Sequence, residues 1–304
     1  VPPPVPPVPP VGTRISLRYR LPPGSTPPLT DVVGHLVTAG PTLVVRTKRG
    51  DEVSVAVTDV VAVKALSDAP VRTADIRNCE HAAAAAWPGL HRHWRDGWLL
   101  RAADGYTHRG NSAVPLGVDA GPAVLPAIVD WYADRGLTPW LAVPDRLLRV
   151  PDSARPAIES LVLTRDVAPG GSTAPAALSA RPDRRWLEVY QRDVPVDVLC
   201  AVLDGEVTFA RIGAAAVGRA AVTTAPDGTR WLGMSAVRVA DDQRRRGHAR
   251  ALCVALLAWG AEQAATRAYV QVVADNAGAL ALYESMDFRL QHRERYYDAR
   301  LLLG

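Results

Sequence analysis

The chain has 304 residues, 48% hydrophobic and 22% charged, with a formal net charge of +4; it can bury two or more cores, and its mild basicity favours acidic partners without demanding nucleic acid. No apolar run approaches the ~20 residues that span a bilayer, the start lacks the charge-then-apolar order of a secretory leader, and Cys79, Cys200 and Cys253 are too few and too scattered for a disulfide framework or a zinc knuckle. Cytoplasmic residence, no membrane contact and no metal site are therefore expected, with the cysteines read as core thiols.

Residues 1–11, VPPPVPPVPP and the valine after it, favour polyproline II and read as a tail, because proline fixes φ and removes donors. Over 12–68 the pattern changes to short β-rich runs, ISLRYRL, VVGHLV, TLVVRT, VSVAV and VVAVKAL, separated by the turn-formers PPGSTPP, TAGP and KRGDE. Five short strands in so few residues predict a small SH3-like or Tudor-like barrel. Arg14, Arg18, Arg20, Lys48 and Arg49 are candidates for a basic face toward nucleic acid or a peptide; a solvated surface bracing the next domain fits them equally well.

Thr73 caps the predicted helix ADIRNCEHAAAAAW, which Pro88 and Gly89 close. GWLLRAA and YTHRGNSAV read as strands around Asp104-Gly105, while His91 and His93 in LHRHW suit a surface pair better than a metal site. LPAIVDWYADRG places Leu125, Ile128, Val129 and Tyr132 at helical spacing before Gly136, and LTPWLAV and IESLVLTRDV supply two more strands. Residues 168–182 read as a loop and RRWLEVYQ as a short helix. A meander follows, VLCAVL, VTFARIG, AVGRAAVT and TRWLGMSAVRV, turning at Asp204-Gly205 and Asp227-Gly228. After DDQRRRGHAR come an alanine- and leucine-rich helix, the strand YVQVV, the Asn-led helix DNAGALALYESMDF, and HRERYYDARLLL as a final strand covering the sheet edge.

Gly247 and Ala249 remove side-chain bulk where the chain enters a helix whose first amides lack internal partners. An anion near such an end gains about 0.3 to 1 kcal/mol from the aligned peptide dipoles. Arg244, Arg245 and Arg246 add formal charge at the same spot, favouring a pyrophosphate over a carboxylate. By itself this turn reads equally well as a solvated basic turn before an ordinary helix.

The motif R-x-x-G-x-A at Arg244 to Ala249, followed by Asn276, Ala279, Leu282 and Tyr283 and then Phe288, resembles the GNAT superfamily of acyl-CoA-dependent N-acyltransferases. The resemblance implies an α/β fold with a mixed sheet: a catalytic GNAT domain over 183–304, a degenerate GNAT-like half over 72–167 without the phosphate turn, and the barrel before both. It implies acetyl-CoA as cofactor, with its pyrophosphate on the amides from Arg245 to Ala249 and its pantetheine arm on backbone groups of Val237 and Val239. Arg238, His248, Arg250, Asn276 and Ala279 complete the cofactor set, Asn276 bonding the pantetheine amides or capping the last helix. Met234 and Ser235 would neighbour the acceptor. Tyr283 is the implied general acid, since a phenol stays protonated at neutral pH and can give its proton to a departing thiolate; the alternative is a packing tyrosine. Some members carry a glutamate base five residues before the Asn, where this chain has Gln271. Glutamine accepts no proton from an ammonium, leaving Glu206, Asp241, Asp242 or bulk solvent to deprotonate the amine.

The leading reading is an acetyl-CoA-dependent N-acetyltransferase in which an acceptor amine attacks the thioester directly within a ternary complex. The acceptor is either a protein lysine, as on a histone-like or nucleoid protein, or a small amine. A second reading is an acyl-CoA-sensing protein whose barrel contacts nucleic acid or a protein, and a third is a scaffold without a cofactor. No motif encodes the acceptor, the acyl length or the oligomeric state.

Overall fold

The computed structural model describes residues 8–66, 71–168 and 176–303. The expected polyproline segment therefore lies mostly outside the described residues, as does the middle of the 168–182 loop. The chain forms two compact units, divided between Pro70 and Val71.

The first unit contains β1 (Arg14–Arg20), β2 (Leu29–Thr38), β3 (Thr42–Thr47), β4 (Glu52–Ala56) and β5 (Val60–Ala65), in the order β4-β3-β2-β1-β5. All its pairings are antiparallel. Alternate residues point inward, so Ile15, Leu17, Val32, Leu36, Leu43, Val45, Val55 and Val60 make its core. Gly34 is required where β2 crosses β3, since a Cβ there would stand 2.1 Å from the Arg46 carbonyl oxygen. Arg18 is matched by Asp31 and Arg46 by Glu52 in exposed cross-strand pairs, which thins the basic face expected of this unit.

The second unit runs through α1 (Thr73–Ala86), β6 (His91–Arg95), β7 (Trp98–Ala102), β8 (Ser112–Pro115), α2 (Leu125–Ala133), β9 (Trp140–Pro144), β10 (Ile158–Asp166), β11 (Ala177–Ser179), α3 (Arg184–Tyr190) and α4 (Val196–Cys200). It continues with β12 (Glu206–Ile212), β13 (Ala216–Thr224), β14 (Arg230–Val239), α5 (His248–Glu262), β15 (Arg267–Val273), α6 (Ala277–Glu284) and β16 (Arg289–Asp298). Its eleven strands form one mixed sheet in the order β11-β12-β13-β14-β15-β10-β16-β9-β8-β7-β6.

That order is nearly the same from either end. A meander, β6-β7-β8, leads through α2 to the parallel strand β9; another, β12-β13-β14, leads through α5 to the parallel strand β15. The last strand of each half then pairs with the other half. β10 lies against β15, β16 lies against β9, and β10 and β16 pair antiparallel at the centre. Helix α5 packs one face through Leu252, Cys253 and Leu256 against Ala220, Val222, Leu232 and Met234. Helix α1 packs the opposite face through Cys79, Ala82 and Ala83 against Val162, Trp231 and Tyr269.

Four readings of the sequence are corrected. β16 is an internal strand rather than an edge cover, because its inward residues His292, Glu294 and Tyr296 are needed under α1. The run VLCAVL yields helix α4 instead of a strand: Pro195, at φ −55°, starts a turn that drives Val198 and Leu199 into the cluster around Trp186 and Phe209. YTHRGNSAV is strand only over β8, since Asn111 turns inward, accepts bonds from the amides of Ala103 and Gly105, and holds the preceding residues as a compact turn. Within the segment read as loop, Ala177–Ser179 pairs with β12.

Because each half lacks its own last strand as a neighbour, a fragment covering 71–168 is expected to show no cooperative thermal transition by circular dichroism, whereas 71–303 should unfold in one step. Cooperative melting of the short fragment would contradict the exchange of strands.

Candidate functional site

β14 and β15 pair in parallel only from Trp231↔Arg267 to Met234↔Val270. Beyond that point they separate. The cause lies in β14, where Ala236 is held at φ 53° and the register against β13 shifts between Val217 and Arg219. This bulge lets Met234, Val237 and Val239 all pack toward α5, while Ala236 packs on the opposite side toward Trp87.

At the open end stands the N-terminus of α5. Gly247 is its N-cap, at φ +81°, and an added Cβ would meet nothing within 4 Å, so backbone conformation rather than crowding calls for glycine. Arg245 also has positive φ, at 62°. Arg244 pairs with Asp241 at 2.7 Å, and Arg246 donates to Gln243 Oε1 at 3.3 Å, both exposed. Arg250 donates to the hydroxyl and carbonyl of Ser285 and ties α5 to the end of α6, and Arg238 reaches Gln191 beyond α3. His248 opens the helix directly after Gly247, with Ala249 next.

Asn276 caps α6, its side-chain oxygen accepting from the Ala279 amide at 3.1 Å. Tyr283, on the same helix, is buried, edge-on to Phe288 with ring centres 5.5 Å apart. Burial first, then the adjacent Cys253, pushes its phenol well above the ordinary range, so it stays protonated. Burial likewise lifts the Cys253 thiol to about 12. Both groups belong to the buried cluster under α5, so Tyr283 is a packed side chain there.

On the α1 face, polar side chains from both halves converge. Arg219, fully buried on β13, donates to the carbonyls of Leu199 at 2.6 Å, Ala86 at 2.8 Å and Ala201 at 2.9 Å. It also lies 4.3 Å over the Trp87 ring. Ala86 is the last residue of α1, so this cation caps the negative end of a helix dipole; burial lowers its pKa to about 10, leaving it charged at neutral pH. Trp87 Nε1 donates to Ser235 Oγ at 3.3 Å, beside the bulge. Arg109, half-buried on a turn of the first half, donates to the Gln271 carbonyl at 2.8 Å.

Gln271 is the first residue of β15 past its last pairing with β14, and its side-chain amide donates to Glu294 Oε2 at 3.4 Å. Tyr296 donates to the same oxygen at 3.1 Å. Next to them, His292 Nε2 and Glu80 Oε1 meet at 2.8 Å, their side chains 0% and 3% exposed. Burial, then repulsion from Glu80, raises the Glu294 carboxyl to about 7.

The acidic residues weighed in the sequence lie elsewhere. Glu206 is in an ion pair with Arg230 at 2.9 Å, at the opposite end of β14 from the separation; Asp241 is held by Arg244, and Asp242 accepts from Gln243. Arg109, Arg219 and Glu294 escaped sequence reasoning. The one signal for Arg219 was an arginine inside the otherwise apolar or small AVGRAAV, a position where an unpartnered cation is costly. Among the described residues no cluster of His, Cys, Asp and Glu could hold a metal ion.

Residues 73–297 match the family model described as "Probable histone acetyltransferase Rv0428c C-terminal", and residues 9–64 match "Rv0428c N-terminal Sm-like domain". The small barrel read from the sequence is thus of the Sm-like kind. The chain is 51% identical over 291 residues, 95% of its length and 96% of the relative's, to "Probable histone acetyltransferase Rv0428c" of Mycobacterium tuberculosis (strain ATCC 25618 / H37Rv). A solved structure, a GCN5-related N-acetyltransferase from Kribbella flavida, aligns with a TM-score of 0.50 at 13% identity, covering 73% of this chain and 94% of that one. At that identity the likeness shows the fold, a GNAT-like mixed sheet.

A carboxyl whose folded pKa is raised keeps its proton while the unfolded chain has lost it, so its contribution to stability is present in acid and is lost as pH rises from 4.5 to about 7. Glu294→Gln is expected to abolish that fall, on the order of 3 kcal/mol, when urea stability is measured at both ends of the window. An unchanged pH dependence would show that Glu294 titrates normally.

Proposed function

Because the chain belongs to the family described as probable histone acetyltransferase Rv0428c, C-terminal, we propose that this acetyltransferase moves the acetyl group of acetyl-CoA onto an amine by direct attack within a ternary complex. The observation that carries the reading is the coincidence of two features at one end of the sheet: the separation of β14 from β15 after Met234↔Val270, and a helix N-terminus opened by Gly247 with free space around it.

An extended thioester arm fits between two parting strands, and a pyrophosphate fits the amide donors of Arg245 to Ala249. Arg244, Arg245 and Arg246 supply charge there, with His248 and Arg250 bracing the turn. Backbone groups of Val237 and Val239 hold the arm on one side, with Arg238 on the same strand; Asn276 and Ala279 approach from α6. When bound, acetyl-CoA supplies the activated acetyl group. Tyr283 gives a proton to the leaving sulfur, and its raised pKa keeps that proton in place until a thiolate develops. Ser235 and Met234 flank the amine's approach.

For the acceptor we favour a protein lysine of the histone-like kind, in line with the relative's name, and the Sm-like barrel over 12–68 would help recruit it. A small amine is the competing acceptor. We read 72–167 and 183–304, joined by the 168–182 loop, as a duplicated pair in which only the second half holds cofactor. Two observations support this. The strand order is symmetric about β10 and β16. Pro122, which has no amide hydrogen to offer an anion, stands in the first turn leading into α2. Among the described residues no helix is long and apolar enough to cross a membrane.

Calorimetry with acetyl-CoA is expected to give one site per chain; two sites would remove the assignment of a silent first half, and none would remove the acetyltransferase mechanism. Tyr283→Phe should lower turnover of a lysine-rich histone-tail peptide by about 100-fold while acetyl-CoA affinity stays within about twofold. Equal loss of both would mark Tyr283 as packing alone. Tight binding without turnover on peptides, polyamines or small amines would favour the sensor reading, which the glutamine at position 271 motivates.

A further inference from the structure

We propose that Glu294 is the group that takes the proton from the acceptor's ammonium, on the face of the sheet covered by α1. This rests on the acetyltransferase reading above and supplies the base that Gln271 cannot be.

Its position is the first argument. The amide of Gln271, at the first step of β15 beyond its pairing with β14, bonds Glu294 directly, so the carboxyl stands one side chain from the separation of the strands. The second argument is its company. Every other buried or half-buried carboxylate of β10, α1 and the β9 end has a cationic or imidazole partner: Glu159 has Arg293 and Arg295, Asp145 has Arg295, Asp75 has Arg72, and Glu80 has His292. Among the described residues, Glu294 is hydrogen-bonded only by neutral donors, the Gln271 amide and the Tyr296 hydroxyl. A carboxyl buried with neutral partners is costly to ionise and serves no ion pair, so it is an unusual choice for a purely structural residue.

The groups around it set its basicity. Glu80 on α1 opposes ionisation, while Arg109, Arg101 on β7 and His292 on β16 favour it; Ser160 on β10 lies opposite in the ladder. Burial is the largest influence and holds the carboxyl at about 7, where it exists partly ionised and can both take and release a proton at neutral pH. Arg109 belongs to the first half and its charge reaches both Glu294 and Tyr283.

The step balances as follows. The ammonium gives one proton to Glu294; the free amine forms the C–N bond at the thioester carbonyl, and the C–S bond breaks. Tyr283 protonates the sulfur and is restored by the second proton leaving nitrogen. Glu294 then returns its proton to solvent, one per turnover.

The test measures kcat/KM from about pH 5.5 to about pH 9 for the full chain, Glu294→Gln and Glu294→Asp. The probes are acetyl-CoA with a lysine-rich histone-tail peptide, and acetyl-CoA hydrolysis without peptide. Acetyl-CoA affinity is measured on each protein by calorimetry. The expected result is a rate that climbs in acid to a plateau above about pH 7, and a plateau lowered by at least about 100-fold in Glu294→Gln with its acid limb abolished. Glu294→Asp should keep a displaced limb, and affinity should stay constant throughout. A Glu294→Gln protein that binds acetyl-CoA and retains both rate and limb overturns the assignment alone. Should that variant fail to fold, an undisplaced limb in Glu294→Asp overturns it instead. A wild-type protein that neither binds nor consumes acetyl-CoA sinks the acetyltransferase mechanism and this inference with it.

Discussion

The antiparallel contact between β10 and β16 is the constraint on which the second unit depends. Each strand is the last of its half, and each spends its other edge on the partner half, so β15 is bordered by a strand from the first half and β9 by one from the second. With both edges of β10 occupied, β15 cannot follow β14 when the bulge at Ala236 turns the latter away. The gap between them is thus built by rigid neighbours rather than by a flexible loop, which is what a site needs in order to hold reactants in register.

The same arrangement explains why chemistry collects under α1. That helix spans the central strands, and its residues Glu80, Ala84 and Ala86 meet β16, the first half's core and Arg219 respectively. Polar groups set into a buried face must find partners. Arg219 finds three carbonyls, Arg101 finds Ser112 and the Trp87 carbonyl, and Glu80 finds His292. Among the described residues, the hydrogen bonds to Glu294 come from Gln271 and Tyr296, neither of which carries a charge.

Much of this was legible in the chain because it is local. Gly247 after three arginines and Asn276 before an alanine-rich helix declare themselves through caps within a few residues, and the Thr73 and Leu125 helices through spacing, although Arg72 rather than Thr73 is the N-cap of α1. What escaped was non-local. Arg109 meets Gln271, and Glu80 meets His292, only because β10 and β16 are exchanged, and no period in the sequence records which strand will be whose neighbour. The same blindness made the final strand look like an edge. α4 was missed for a different reason: its valines carry strand propensity, and tertiary burial against Trp186 overrides it.

The strand exchange also bears on how the chain is made. β9 emerges from the ribosome with β10 close behind it, yet the strand that will sit against it, β16, is almost the last to be synthesised. Through most of translation the first half must wait with an apolar edge exposed, and β10 has no bordering strand until β15 follows. Completion of this protein is therefore a late, concerted closure, and an interruption of synthesis before residue 289 would release a chain inclined to aggregate.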